Sequence, residues 1–188
     1  MKKNALTVLG ALAISALPGC ASPILTDGTY YEFLFGSAPA AASLCGTACV
    51  PTVNPVANTV ASPPWTFSGA ANILVLDLFA AGDLFQVFDN GLSLGSTSDV
   101  ANTGTDSCVN DITCALSNSE YSRGTFGVGV GSHSLTINHV RNVPNAAGGA
   151  AVFSVTAIMA STPEPATSAL FGASLAGLAL LRRRRRHA

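Results

Sequence analysis

Sixteen uncharged residues, Ala166 to Leu181, run directly into Arg182, Arg183, Arg184, Arg185 and Arg186, and Pro163-Glu164-Pro165 stands between them and everything upstream. Each proline lacks an amide donor and fixes φ, so no strand or helix can pass unbroken through this junction. The folded body therefore ends near Thr162. As a helix at about 1.5 Å per residue the apolar run would reach roughly 24 Å, slightly short of a bilayer core. The five guanidinium groups can snorkel to the headgroups and recover a turn, and under the positive-inside rule they hold this end in the cytoplasm. The expectation is a single transmembrane helix over 166–181 with the body outside.

The other end also reads as an export signal. Met1-Lys2-Lys3-Asn4 precedes the apolar run Ala5 to Ala16, the basic start and short hydrophobic centre of a secretory signal peptide over residues 1–21. Two processing routes stay open. Leu17-Pro18-Gly19-Cys20 resembles a bacterial lipobox, in which Cys20 is lipidated and becomes the mature N-terminus; ordinary cleavage after Ala21 is the alternative.

Pro163, Glu164 and Pro165, one apolar segment and a short basic tail together resemble the PEP-CTERM sorting signal of Gram-negative bacteria. The resemblance implies that a membrane-embedded exosortase recognises this end and cuts there. The protein would be anchored in the inner membrane before processing and then released to the cell surface or extracellular matrix. The same signal is also described as the C-terminal domain of ice-binding proteins, a label that carries no ice-binding chemistry. The chain then divides into a signal peptide (1–21), an extracytoplasmic body (22–162) and a sorting signal (163–188).

Of the 188 residues, about 140 are left for the body, enough for one domain with a real core. Its cations are Arg123 and Arg141, against nine carboxylates from Asp27 to Glu120, a net charge of about −7. Such a surface repels nucleic acid and anionic lipid. It is compatible with divalent cations or neutral polysaccharide, and solubility alone also accounts for it.

Short runs rich in aromatic and branched residues, punctuated by glycine, predict strands at Thr29–Phe35, Trp65–Phe67, Asn72–Phe79, Leu84–Asp89, Leu92–Leu94, Gly124–Val130, Ser134–Val140 and Ala150–Ala160. Asn90-Gly91 marks a two-residue hairpin over 84–96. Ser37–Pro64 reads as a long crossing segment and Ser96–Ser119 as an exposed polar loop, with Gly131-Ser132-His133 as a turn. The pattern predicts an all-β fold, an antiparallel, jelly-roll-like β-sandwich with no helix of its own. In an oxidising compartment the four cysteines besides Cys20 allow three disulfide pairings. Cys45 with Cys49 and Cys108 with Cys114 is the economical set, because each closes a small loop; zinc is the alternative.

Three groups could carry chemistry. Ser132 or Ser134 with His133 and Asp83 makes a triad on paper, without a nucleophile-elbow pattern. Asp77, Asp83 and Asp89 lie in one stretch and calcium favours such oxygens, although the Asp-x-Asp-x-Asp-Gly loop is missing. Trp65, Tyr30, Tyr31 and Tyr121 could stack on sugars if they shared an exposed face; as core residues they would only pack. The resulting expectation is a non-catalytic surface or matrix protein with a structural or adhesive role, without cofactor unless calcium binds, and with exopolysaccharide as a neighbour. The alternative is a carbohydrate-binding module, and a hydrolase ranks below both.

Overall fold

The computed structural model describes residues 21–159. The expected signal peptide (1–21), apart from Ala21, and the whole segment 163–188, including the expected transmembrane helix, lie outside the described residues. Among those described, no helix is long and apolar enough to cross a membrane.

The strands are β1 (Ser22–Pro23), β2 (Asp27–Gly36), β3 (Ala40–Ala41), β4 (Asn58–Thr59), β5 (Trp65–Ser68), β6 (Ala71–Asp77), β7 (Leu84–Asp89), β8 (Leu92–Ser96), β9 (Arg123–Val128), β10 (Ser132–Arg141) and β11 (Gly148–Ala157), with one helix, α1 (Ile112–Ser117). One sheet has the order β1-β5-β10-β7-β8, with β3 also on β10; the other runs β4-β2-β11-β6-β9. The ladders among the long strands are antiparallel, but β1 pairs with β5 and β4 with β2 in parallel. Both sheets are thus mixed rather than wholly antiparallel. The reason is connection length: the chain from β1 to β5 and from β2 to β4 is long enough to turn back and re-enter in the same direction, which a tight hairpin forbids.

Period-two alternation builds the core. Phe33 and Phe35 of β2, Ile73 and Val75 of β6, Phe85 and Val87 of β7, Leu135 and Ile137 of β10, and Phe153 and Val155 of β11 meet Trp65 between the sheets. The hairpin forms as expected, with Asn90 and Gly91 both at positive φ (50° and 79°) and Asp89 opposite Leu92. These angles suit the primed turn that matches strand twist. The next turn lies two residues earlier than expected: β9 ends at Val128 and β10 begins at Ser132, so Ser132 and His133 belong to the strand, and the connection carries the chain from one sheet to the other.

The outer face of the second sheet is also apolar and also covered. Leu76, Leu78 and Val152 pack against Cys108, Ile112, Ala115 and Tyr121 in a second core. The expectation of an exposed loop over Ser96–Ser119 is therefore corrected. Ile112, Ala115 and Leu116 have one-face helical spacing that the surrounding polar residues obscured. Asp111 caps the helix by accepting the Cys114 amide at 2.9 Å. The crossing segment joins this layer: the Val53 amide donates to Asn110 O, the Ile112 amide to Val53 O, and Asn54 Nδ2 to Asp111 Oδ2. Each half of the layer contains one disulfide, Cys45–Cys49 and Cys108–Cys114, as the economical pairing predicts.

Candidate functional site

Strand β10 turns His133, Leu135, Ile137 and His139 inward, so a histidine stands at each end of its core stripe. Each meets an aspartate from an end of the neighbouring β7. His139 Nε2 lies 3.0 Å from Asp83 Oδ1, and His139 Nδ1 lies 2.8 Å from Gly36 O. At the opposite end, His133 Nδ1 lies 2.8 Å from Asp89 Oδ2 and His133 Nε2 lies 2.9 Å from Gly129 O. The rings also pack, His139 on Phe35 and His133 on Phe67.

The His139 end is the more polar of the two. Asp77 is fully buried; its Oδ2 accepts the amides of Gly82 and Asp83, which closes the turn from β6 to β7. Burial, reinforced by the charge of Asp83, pushes the Asp77 carboxyl up to about 8 against the pull of those amides. Asp83 Oδ1 also accepts the Val143 amide. Burial alone would depress the His139 imidazole, but its bonds to Asp83 and to Gly36 O more than offset that, and the net shift is upward. Arg141 donates to Gly82 O through Nη2 and pins the same turn from outside. Beside this cluster opens a mainly apolar cavity of about 430 Å³, lined by Leu34, Phe35, Leu78, Phe79 and Val143, with Asp83 at its wall.

These positions rearrange the sites expected from sequence. His133 pairs with Asp89, not Asp83, because the β7/β10 register sets Asp89 opposite Leu135. A Ser-His-Asp83 triad is therefore not assembled: the Asp83 partner is His139, and neither nitrogen of His133 faces a serine hydroxyl. Asp77 and Asp83 are neighbours, whereas Asp89 sits at the far end of β7, so the three do not converge on one calcium position. Trp65, Tyr31 and Tyr121 are buried and Tyr30 is half-buried; no shared sugar-stacking face forms from them. Trp65 Nε1 donates to Ala61 O, and the Tyr121 hydroxyl donates to Phe79 O.

Two participants escaped sequence reading. His139 was legible in one respect: Asp83 and Asp89 are six residues apart, as are His133 and His139, the spacing two antiparallel strands need to pair at both ends. Glu32 gave no such sign. It points out of the second sheet, beneath the crossing segment, and a carboxyl oxygen, Cys45 Sγ and Cys49 Sγ all lie within 4.8 Å of one another.

The sorting residues Pro163, Glu164, Pro165 and Arg182 to Arg186 lie outside the described residues, and for them the comparison with known families decides. Residues 161–186 match the family model of the PEP-CTERM protein-sorting motif. The chain carries a PEP-CTERM sorting signal. No curated protein and no solved structure matches the chain. The PEP-CTERM signal marks an exported protein of a Gram-negative bacterium, anchored at the membrane while an exosortase, itself a membrane enzyme, processes it.

Proposed function

We propose that this PEP-CTERM protein is a non-catalytic component of the cell surface or extracellular matrix, with a structural or adhesive role. The observation that carries the reading is the sorting signal at 161–186 following a sandwich sealed on its outer sheet by a layer with two disulfides. Both histidines inside that sandwich are spent on internal pairs, which favours a scaffold over a reaction centre. With the two-residue strands set aside, the orders β2-β11-β6-β9 and β5-β10-β7-β8 support a jelly roll, since two Greek keys folded over one another give this arrangement. No cofactor is invoked. Carbohydrate recognition through Trp65 loses its main support, because that ring lies in the core.

The test is fractionation of cells with intact-mass measurement of the recovered protein. The expected species lacks its first 21 residues, or begins at a lipidated Cys20, lacks its tail, is found at the surface or in the matrix, and contains two disulfides. Replacing Pro163, Glu164 and Pro165 by alanine should leave a tailed form in the membrane. Full-length protein in the cytosol with reduced thiols would overturn the reading. Co-sedimentation with matrix polysaccharide measures the adhesive role directly.

A further inference from the structure

The Cys45–Cys49 disulfide spans a short turn, Gly46–Ala48, whose three residues are all exposed. The two sulfurs differ in access. Cys45 is 2% exposed, while Cys49 is half-buried and is the side that solvent can approach. Beneath them sits Glu32, also 2% exposed, with Oε1 buried and without a hydrogen-bond partner. Leaving a buried polar atom unpaired costs on the order of 1–3 kcal/mol, so a carboxyl is a poor choice here if its only task is packing. Cys108–Cys114 lacks this arrangement: among the described residues no carboxyl oxygen lies within 4.8 Å of both its sulfurs, and Cys108 belongs to the second core.

We propose that Cys45–Cys49 is a thiol–disulfide exchange site, in which Cys49 is the sulfur attacked by an incoming thiol and Glu32 protonates the departing Cys45 sulfur. The attacking thiol loses its proton to water, and its sulfur bonds to Cys49 Sγ as the Cys45–Cys49 bond breaks. The bonding pair passes to Cys45 Sγ, which takes the Glu32 proton; the carboxylate is then reprotonated from water. A second thiolate attacks the outer sulfur of the mixed disulfide, and Cys49 leaves and is protonated. Two electrons and two protons have moved, the reductant ends as a disulfide, and both cysteines are thiols. Neutralising the Cys45 sulfur as it leaves avoids a buried thiolate. Burial raises the Glu32 carboxyl, opposed by the Val50 amide, which helps it hold the proton it must give. The proposal concerns the folded body alone and is independent of where the protein is delivered.

The experiment follows both disulfides in the mature protein purified from cells, under limiting dithiothreitol, with alkylation and peptide mass analysis at intervals. Cys45–Cys49 should open about tenfold or more faster than Cys108–Cys114. Glu32→Gln should slow the first by about tenfold or more and leave the second unchanged, with partial recovery in Glu32→Asp. Equal opening rates, or a Glu32→Gln rate equal to that of the wild type, would overturn the proposal. A second measurement does not depend on the Glu32 variants folding. With glutathione disulfide, Cys45→Ser should form a mixed disulfide at Cys49 rapidly and Cys49→Ser should form one at Cys45 slowly; the reverse order refutes the assigned roles.

Discussion

His139 Nε2 lies 3.0 Å from Asp83 Oδ1, both side chains almost wholly shut off from solvent. The pair ties β10 to the start of β7, and Gly36 O on the other ring nitrogen ties both to the second sheet. One imidazole thus joins the two layers of the sandwich at one end of the core. His133 and Asp89 bind the same two strands at the other end, with somewhat more exposure.

Removing one member of the inner pair strands the other. His139→Ala should lower unfolding stability by about 3–5 kcal/mol, measured by urea denaturation at neutral pH. His133→Ala, whose Asp89 partner keeps the Ser134 amide and more contact with water, should cost less. Equal costs would contradict the difference in burial.

The buried cluster also sets a pH dependence. Asp77 titrates at about 8 in the folded protein and at about 4 in the unfolded chain, so the folded state holds its proton over the interval between. That contribution is fully present below the unfolded value and is lost as pH rises through about 8. His139, also shifted upward, acts in the same direction: its contribution is lost as pH rises through a folded value above 6.5. Calorimetry should show stability falling between about pH 4 and about pH 8, with a slope approaching 1.4 kcal/mol per unit for each proton, and with His139 adding to the fall above its ordinary value of 6.5. Asp77→Asn keeps the acceptor for Gly82 and Asp83 but cannot ionise, so it should flatten the fall.

Trp65→Ala tests core against ligand platform. Trp65 is fully buried against Phe33 and Phe153, and its loss should cost about 3–5 kcal/mol in denaturant unfolding. A variant of unchanged stability that had lost polysaccharide binding would put the ring back on the surface.

Cys108→Ser with Cys114→Ser should act on the second layer more than on the sheets. A loop this short contributes about 2 kcal/mol by the loop-entropy estimate. Hydrogen exchange should quicken across Ile112–Ser117 and remain slow in β6, β10 and β11.

Much of the sandwich was legible because its strands announce themselves locally. Leu84–Asp89 and the Asn90-Gly91 turn follow from alternation and one dipeptide, and both cysteine pairs follow from spacing. The parallel edge pairs were not legible, since they depend on where a long connection returns. Nor was α1: Ile112, Ala115 and Leu116 span barely more than a turn, and only packing against Leu76 and Val152 makes it a helix. The site was read least well for a similar reason. Asp83 and His133 were singled out by type, but partners across a sheet are chosen by register, which moved each to a different mate.

Strand β11 lies between β2 and β6 and is the last of the described strands, so the chain leaves the body from the interior of a sheet rather than its rim. Its ladder to β2 covers Gly148 to Thr156, and its ladder to β6 runs from Ala151 to Ala157. While the protein is still moored, any drag on the body is transmitted through a ribbon gripped on both flanks. The second sheet can yield only by shearing both rows of hydrogen bonds together, instead of peeling from one side.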